Sequence, residues 1–488
     1  MVIKKKSDEI QAYLTDASNF KGNCSGVFIP ENISELKEIV RNCNEKKQLL
    51  TISGNGTGLT GGRVAESGVV VSMERLDKIL EINSREKYAV VQPGVILSDF
   101  NNAVKERDLY YPPDPTEQNC FIGATIATNA SGAKSFKYGP TRNFVEEVSV
   151  ILPDGDSVTI PRGKYPAEDY KLKFTTDSGK EIEINIPEIE MPQIKHAAGY
   201  FCKKGMDLID LFIGSEGTLG IITEAKLRLI DFPKNFLSAV IFFSSGNDAL
   251  QFVSEARKLS RTGNEKINAL GIEFFDNNSL EFLKDDYPNI PGDADAAVWF
   301  EQDYDSDEEE EVFDSWMDLT ERSSGDLENS WFASDNSDRI KFIDFRHAVS
   351  WKVSDFISKH NIRKVGTDLA VPDKNFDEFY HSSRTLVEES GINFIAYGHF
   401  GDSHLHLNML PADDNEFKKA KDIYKQLCLL AIKLGGTVSA EHGIGKIKRE
   451  YLLDMFGKEK ISRMALIKTT LDPNKILNIG NIFYEEFL

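Results

Sequence analysis

The sequence predicts an α+β protein of two or three domains. The number of domains follows from the length of 488 residues, which exceeds what a single hydrophobic core usually holds. From about residue 49 to residue 230, short apolar runs and short helical patterns alternate with frequent glycine and proline, which is typical of an α+β domain. After residue 233, strands alternate with longer helices. The predicted domains are residues 1–232, 233–436 and 437–488.

The chain is acidic, with 57 Lys and Arg against 78 Asp and Glu and a formal net charge of -21. This charge repels polyanions, so it argues against nucleic acid or an anionic membrane as the main partner. An anionic small-molecule substrate therefore needs a local pocket of positive charge.

The cysteines and the apolar runs indicate the cellular location. The five cysteines lie far apart with no C-x-x-C pair, which fits neither an iron–sulfur cluster nor a disulfide framework and favours a reducing compartment. The N-terminus is basic without an apolar signal region, and no stretch reaches the roughly 18 apolar residues of a membrane span. We expect a cytoplasmic protein without a transmembrane segment, and peripheral contact with the inner membrane face stays open.

The first predicted elements are a helix and a buried strand. Asn32 and Glu35 stand at the spacing of a capping box at a helix N-terminus. Residues 32–46 are amphipathic, and their apolar stripe consists of Ile33, Leu36, Ile39, Val40 and Cys43. The apolar run at residues 49–52 follows and predicts a strand.

Residues 53–62 follow this strand, and half of these ten positions are glycine. Because glycine has no Cβ and tolerates positive φ, such a loop can turn several backbone N–H groups toward a bulky anion. Residues 56–61 match G-x-G-x-x-G, but no helix follows as a nicotinamide-binding unit requires, and no Gly-Lys-Ser/Thr closes a Walker A loop. Apolar strands on both sides, the second at residues 69–71, argue against a mobile linker. The loop therefore predicts a pyrophosphate cradle.

Further segments rich in glycine or proline follow at residues 92–95, 111–115, 122–132, 138–139 and 212–222. In order and spacing these segments resemble the FAD-binding domain of the vanillyl-alcohol-oxidase type, also called the PCMH type. The chain looks most similar to the FAD-linked D-2-hydroxyacid dehydrogenases, which include D-lactate, glycolate and D-2-hydroxyglutarate dehydrogenases. The resemblance implies an FAD-binding first domain, a mixed-sheet substrate (cap) domain, and a C-terminal segment that returns to the flavin and completes the active site.

The resemblance also implies which residues contact FAD. They come from the glycine loop, the later segments and the C-terminal loop at residues 471–481: Ser53, Gly54, Asn55, Gly56, Thr57, Gly58, Leu59, Gly61, Gly62, Pro93, Gly94, Pro115, Thr116, Gly123, Ala124, Ala127, Thr128, Asn129, Ser131, Gly132, Tyr138, Glu216, Gly217, Gly220, Ile221, Ile222 and Asn478. Many flavoproteins of this type attach FAD through a histidine, but the first half of this chain has no histidine before His196. We therefore expect FAD to be held noncovalently.

An acidic run at residues 303–311 stands out in the second half. Clustered carboxylates can bind a hard cation, but the run lacks the glycine turn and the ligand alternation of a calcium loop. We predict that it is the solvated start of a helix.

Three of the eight histidines lie within eight residues, from His399 to His406. Strand alternation points His404, His406 and Asn408 to one face, and a glycine-bearing bend can bring His399 to the same point. Converging imidazoles bind zinc, manganese or iron, and a carboxylate is the natural further ligand. Glu441, in a later Glu-His-Gly sequence, supplies a candidate carboxylate.

The resemblance assigns roles within this cluster. The related dehydrogenases carry Gly-His-x-Gly-Asp-Gly-Asn-x-His and a later Glu-His-Gly, so His399, His406 and Glu441 match the residues that hold a divalent metal. The next histidine, His442, matches the catalytic base. This sequence has a serine and His404 where the family usually has Gly-Asn, so His404 is either an extra ligand or a substrate contact.

Arg346 matches the arginine that holds the substrate carboxylate in the family, and Ser350 lies one helical turn further on. Members that oxidise dicarboxylates tend to have lysine at the position of Gly366, so the glycine favours a D-lactate type. Lys364 lies close enough to leave the substrate open. We also expect Asn408 to hydrogen-bond the substrate.

The implied function is the oxidation of a D-2-hydroxyacid to a 2-oxoacid, with His442 taking the hydroxyl proton and hydride passing to flavin N5. The reduced flavin then needs an electron acceptor, which is a quinone, an electron-transfer flavoprotein or a cytochrome. Whether the protein forms a homodimer stays open. The alternatives are a D-2-hydroxyglutarate or glycolate dehydrogenase, a flavin transferase like alkylglycerone-phosphate synthase, a flavin-carrying electron-transfer subunit, and a noncatalytic metal-binding module.

Overall fold

The computed structural model describes residues 1–263, 266–360 and 362–488. Its N-terminal elements are β1 (Val2–Lys4), α1 (Ser7–Ile10), β2 (Val27–Ile29), α2 (Ile33–Glu45), β3 (Leu50–Ser53) and β4 (Val69–Ser72). The strands form a sheet in the order β1-β2-β4-β3, in which β4 pairs in parallel with β2 and β3. The predicted helix is confirmed as α2, and Asn32 caps it by accepting the N–H of Glu35 at 3.0 Å. The glycine loop joins β3 to β4.

A second sheet follows and completes the first half of the chain. The elements are β5 (Ile79–Asn83), β6 (Tyr88–Val91), α3 (Leu97–Lys105), β7 (Leu109–Tyr110), α4 (Ile122–Thr128), α5 (Ser135–Tyr138), β8 (Val145–Ile151), β9 (Ser157–Pro161), β10 (Lys171–Thr175), β11 (Glu181–Asn185), α6 (Leu208–Phe212), β12 (Ile221–Arg228) and β13 (Ile230–Asp231). The sheet has the order β5-β6-β12-β8-β9, while β10 pairs with β11 and β13 with β7. Short strands, short helices and frequent turns confirm the predicted α+β layout.

The second half is built on a larger antiparallel sheet. The elements are β14 (Asn235–Phe243), α7 (Gly246–Arg261), β15 (Gly271–Asp276), α8 (Asn277–Leu283), β16 (Ala296–Tyr304), α9 (Glu309–Arg322), β17 (Trp331–Phe332), α10 (Asn336–His360), β18 (Val365–Gly366), β19 (Leu369–Ala370), α11 (Phe376–Glu388), β20 (Phe394–Gly398), β21 (His404–Met409) and α12 (Asp414–Lys433). The strand order is β17-β14-β16-β15-β20-β21-β18, and β19 also pairs with β21. This order places β15 beside β20, and therefore near the histidine-bearing strand β21.

The last part of the chain returns to the first sheet. Helix α13 (Arg449–Leu471) bends at Gly457, whose φ of 76° lies outside the helical region. Beyond α13, Leu477 pairs in parallel with Leu50 of β3, and the N–H of Asn478 donates to the Leu50 carbonyl at 2.9 Å. Short 3₁₀ turns complete the architecture at Gln11–Tyr13, Thr141–Phe144, Asp373–Asn375, Phe400–Asp402 and Glu485–Phe487.

Helices cover the larger sheet and bury its apolar side chains. Trp316 of α9 stacks on Phe300 of β16 with ring centroids 3.7 Å apart, and its indole N–H donates to Gln302 at 2.9 Å. The first turn of α9 carries the exposed Glu309, Glu310 and Glu311, which confirms the end of the acidic run as a solvated helix start, whereas Asp303 lies on β16 and pairs with Lys137. Within the residues that the structure describes, none of the helices combines the length and the apolarity that crossing a bilayer requires.

Candidate active site

The glycine loop forms one wall of an elongated cavity between the first two sheets and the C-terminal segment. The cavity encloses about 940 Å³, including the part open to solvent. The predicted residues that line it are Gly54, Asn55, Gly56, Thr57, Gly58, Gly62, Pro93, Gly123, Ala124, Ala127, Thr128, Glu216, Gly217, Gly220, Ile221, Ile222, Asn478 and His442. The structure therefore brings residues from six separate parts of the sequence to one cavity.

Other residues predicted to contact the cofactor lie outside this lining: Ser53, Leu59, Gly61, Gly94, Pro115, Thr116, Asn129, Ser131, Gly132 and Tyr138. Ser131 is an example, because its hydroxyl lies 3.4 Å from Glu441 Oε2, on the side of the histidine cluster. The lining also includes residues that the sequence did not single out: Asp16, Ile52, Thr60, Arg63, Met73, Phe121, Ser215 and Asn481.

Close packing within the walls of the cavity requires glycine at two positions. A Cβ on Gly123 would lie 2.4 Å from Pro93 Cβ, and one on Gly217 would lie 2.7 Å from Asn478 Nδ2, so these positions accept only glycine. Arg63 donates to the carbonyl of Gly54 at 2.9 Å and adds positive charge beside the loop. Backbone approach and a nearby guanidinium are what a diphosphate requires.

Glu216 holds the returning C-terminal segment against this cavity. Its buried carboxylate accepts the N–H groups of Ile444 at 2.6 Å and Gly445 at 2.7 Å. Asn478 donates to the Glu216 carbonyl at 2.8 Å and accepts the N–H of Ile52 at 2.7 Å. These bonds fix the segment that carries His442 on the cavity wall.

The histidine cluster lies directly behind His442. Glu441 Oε1 is 3.2 Å from His399 Nε2, 3.3 Å from His406 Nε2 and 3.7 Å from His442 Nε2. One ligand atom from each of His399, His404, His406 and Glu441 lies within 4.8 Å of the others. The predicted convergence of His399 with the strand β21 is confirmed.

The other ring nitrogens of the two predicted histidine ligands are already held. His399 Nδ1 lies 2.5 Å from Glu273 Oε1, and His406 Nδ1 lies 3.3 Å from the Thr367 carbonyl. Since these oxygens only accept, both histidines donate through Nδ1 and present Nε2 to Glu441. Metal-ligating histidines are oriented in this way, so the donor set fits a divalent cation.

Glu273 joins the cluster to the predicted substrate arginine. The same oxygen that accepts from His399 lies 3.4 Å from Arg346 Nε. Burial opposes ionisation of Glu273, but the charges of His399 and Arg346 outweigh it and lower the pKa of Glu273 to about 2. Arg346 also donates to His347 Nε2 at 2.7 Å, so His347 is a neutral acceptor there.

Asp368 anchors the segment that carries Glu441 and His442. Its carboxylate accepts from the backbone N–H groups of Ala440, Glu441 and His442 at 3.0–3.2 Å, the Ser439 hydroxyl at 2.8 Å and the Lys448 ammonium at 2.6 Å. Burial raises the pKa of Asp368, but His442 and Lys448 hold it well below the usual range. Asp368 therefore stays ionised and fixes the backbone that carries Glu441 and His442.

Lys195 balances the charge of Glu441. Its buried ammonium lies 2.9 Å from Glu441 Oε2 and 3.7 Å from Asp402 Oδ2. Burial opposes ionisation of Glu441, but Lys195 and His399 hold its pKa well below the usual range. Burial lowers the pKa of His442 to about 4 against the opposing charge of Asp368, so this imidazole is neutral at pH 7 and can accept a proton.

Comparison with known proteins decides the family. Residues 232–482 match the model of the FAD linked oxidases, C-terminal domain, and residues 24–161 match an FAD binding domain. The chain belongs to the FAD-linked oxidases. This FAD-linked oxidase is 30% identical over 460 residues to a D-lactate dehydrogenase of Anaerostipes hadrus, covering 92% of this chain and 88% of that protein. It is also 30% identical over 501 residues to a D-2-hydroxyglutarate dehydrogenase of Stutzerimonas stutzeri (strain A1501), covering 98% and 95%.

The solved structure of an alkyldihydroxyacetonephosphate synthase has the same fold as this FAD-linked oxidase. The TM-score is 0.68 at 16% identity, covering 98% of this chain and 81% of that chain. The vanillyl-alcohol-oxidase-type fold is thereby confirmed, and the chain is an FAD-linked oxidoreductase whose cofactor is FAD.

Sequence reasoning missed Glu273, Asp368 and Lys195 as functional candidates in this oxidase. Glu273 had a signal, because it is a charged residue within the apolar strand β15 and is only 3% exposed. Asp368 and Lys195 stand in mixed segments that give no such signal.

Changing Glu273 to Gln tests its bridging position. The amide keeps the size but removes the charge that holds His399 and Arg346, so we expect the affinity for Zn²⁺ to fall about 10–100-fold. Zn²⁺ dissociation constants from chelator competition measure this. Glu301→Gln is the matched control, because Glu301 is also buried in this sheet and pairs with Arg339 at 2.5 Å. Equal losses in both variants would contradict the bridging role.

A second cavity lies beside Lys195 and is lined by His196, Arg142 and Lys203. Burial, together with Arg142 and Lys203, lowers the pKa of His196 from 6.5 to about 3. The unfolded chain therefore takes up a proton on His196 between these values while the folded chain does not, so stability falls as the pH drops through this window.

Changing His196 to Asn should remove part of this acid sensitivity. We expect the midpoint of thermal unfolding to fall less between about pH 7.5 and about pH 5 in the variant than in the wild type. The exposed His381, changed to Asn, serves as the control and should behave as the wild type. An equal fall in the His196 variant and the wild type would show that His196 titrates normally.

Proposed function

We propose that this FAD-linked oxidase oxidises a D-2-hydroxyacid, of the D-lactate type, to the corresponding 2-oxoacid. The observation that carries the proposal is the position of His442, which lies on the wall of the FAD cavity and 3.7 Å from Glu441 of the histidine cluster. A substrate carbon at this junction faces both a flavin site and a candidate metal site. The printed names of the related D-lactate and D-2-hydroxyglutarate dehydrogenases support this class of substrate.

His399, His406 and Glu441 would hold the divalent metal, which as a Lewis acid lowers the pKa of the substrate hydroxyl. Lys195 and Glu273 flank these ligands and keep Glu441 ionised and His399 oriented. Zinc, manganese and iron all suit this set of imidazole and carboxylate donors.

Four side chains of the chain act on the substrate. His442 takes the hydroxyl proton at a neutral ring nitrogen. Arg346 pairs with the carboxylate, and Glu273 sets the direction of its guanidinium. Asn408 and Tyr397 lie 3.2 Å apart on the same side and form a polar wall for the substrate.

FAD, when bound, supplies the acceptor for the hydride that leaves the substrate carbon. We propose that the chain holds it noncovalently. Among the described residues that line the cavity, His442 is the single histidine and no cysteine is present. Acid denaturation of the purified protein should therefore release the yellow colour into the supernatant, and colour retained in the pellet would contradict noncovalent binding.

The proposed division of labour follows the predicted domains. Residues 1–232 bind FAD, residues 233–436 bind the substrate, and residues 437–488 complete the site. The preference for D-lactate over a dicarboxylate rests on Gly366, whose added Cβ would lie 2.5 Å from Asn408 Oδ1. Glycine at this position offers no side chain to a second carboxylate, while Lys364 Cε lies 4.0 Å from the added Cβ, so a panel of substrates has to separate the two classes.

Anaerobic flavin reduction tests the function directly. We expect D-lactate to bleach the flavin absorbance faster than glycolate, D-2-hydroxyglutarate or L-lactate. Removal of the metal with a chelator before mixing should slow the bleaching, and adding Zn²⁺, Mn²⁺ or Fe²⁺ should restore it. If none of these 2-hydroxyacids reduces the flavin, the proposal is wrong, and if only D-2-hydroxyglutarate does, the substrate preference is wrong.

A further inference from the structure

His404 lies inside the cluster that the proposed function gives to the metal. Its ring centroid is 4.3 Å from that of His406 and 5.2 Å from that of His399. One of its ring nitrogens lies within 4.8 Å of the ligand atoms of His399, His406 and Glu441. The proposed function does not use this side chain.

The side chain of His404 is 0% exposed, and neither ring nitrogen makes an aligned hydrogen bond to a described residue, although Nε2 lies 3.1 Å from Asp368 Oδ1. Leaving a buried polar group without a partner is costly, so such a group in a folded protein calls for a missing partner. The ring is polar and faces ligand atoms, so a cation is the partner that the surroundings suit.

Asp368 is the nearest carboxylate but does not satisfy His404. Its Oδ1 lies 3.1 Å from His404 Nε2 without the alignment of a hydrogen bond. The carboxylate already accepts five donors, whereas it offers about four lone-pair sites. Asp368 therefore serves one ring nitrogen of His404 at most, and the other, Nδ1, still lacks a partner.

The backbone prevents His404 from turning away. His404 pairs with Ala370 of β19, and its N–H donates to the His399 carbonyl at 3.3 Å. Neighbouring strand and turn therefore hold the backbone of His404 beside the cluster, and its side chain is closed off from solvent.

We propose that His404 is a fourth protein ligand of the metal, beside His399, His406 and Glu441. This inference rests on the proposed function, because it assigns a further residue to the same site. A set of three imidazoles and one carboxylate favours an ion that accepts more than four donors, since the substrate must bind as well.

Counting imidazoles around the metal tests the proposal without measuring turnover. The FAD-loaded protein is stripped with a chelator, reloaded with one equivalent of Zn²⁺ and examined by X-ray absorption at the zinc edge. We expect three imidazoles in the wild type and two in His404→Asn. His381→Asn, in which an exposed histidine outside the cluster is changed, should keep three. Two imidazoles in the wild type overturn the proposal even if the variant fails to fold.

Zinc affinity supplies a second measurement. Loss of a direct ligand should raise the Zn²⁺ dissociation constant of His404→Asn more than about 100-fold, which exceeds the usual effect of an outer partner. A change below tenfold overturns the proposal. The proposed function is judged separately by flavin reduction: bleaching by D-lactate with two imidazoles at the zinc leaves the function standing and removes the fourth ligand. If the zinc has three imidazoles but no 2-hydroxyacid bleaches the flavin, the fourth ligand stands and the proposed function is wrong.

Discussion

Replacement of His442 by alanine should lower the rate of flavin reduction by the 2-hydroxyacid about 10²–10⁴-fold, the range expected when a general base is lost. His442 lines the FAD cavity with its Nε2 3.7 Å from Glu441 Oε1, and burial lowers its pKa, so the ring is neutral and has a free nitrogen for the proton. Stopped-flow absorbance under anaerobic conditions measures the rate. The ratios of FAD and of zinc to protein should stay at the wild-type values, because His399, His406 and Glu441 remain.

His381→Ala is the matched control for this variant, since it removes an exposed imidazole that does not line the cavity. A wild-type rate in His442→Ala would overturn the assignment of the base. Loss of metal together with activity would instead make His442 a ligand, and the pattern of ligands would need to be redrawn. If the FAD and zinc contents are unchanged but the flavin is reduced slowly, the result supports His442 as a base that acts on the substrate and does not bind the metal.

The local features of the fold could be predicted from the sequence because each depends on near neighbours. The apolar stripe and the cap at Asn32 give α2, and the glycine loop lies between the expected strands β3 and β4. Strand alternation correctly grouped His404 with His406 on β21. In each case the pattern spans a few residues, so backbone geometry alone sets the outcome.

The surroundings of the cluster could not be predicted in this way. Glu273 meets His399 across 126 positions of the sequence, and Asp368 meets the N–H of His442 across 74. Which carboxylate faces which imidazole depends on the order of the strands in the large sheet. That order cannot be read from the sequence. The same reason explains Ser131, which the family resemblance assigned to FAD and whose hydroxyl lies 3.4 Å from Glu441 Oε2.

Replacement of Asp368 by asparagine should have the largest effect on stability. The buried ammonium of Lys448 would lose its charge partner at 2.6 Å, and breaking such a pair costs about 3–5 kcal/mol. The amide also offers one acceptor oxygen where the N–H groups of Glu441 and His442 now use two. We expect lower stability in denaturant unfolding, a weaker affinity for Zn²⁺ and slower flavin reduction.

Asp276→Asn separates these effects from general destabilisation. Asp276 is also fully buried, accepts the N–H groups of Ser279 and Ala396, and lies 3.4 Å from the Arg384 guanidinium. Its loss should lower stability but leave the zinc affinity at the wild-type value, because it does not hold the segment with Glu441. If Asp368→Asn loses stability but keeps the wild-type zinc affinity, Asp368 supports the fold only. The position of Glu441 must then be set by Lys195 and the histidines alone.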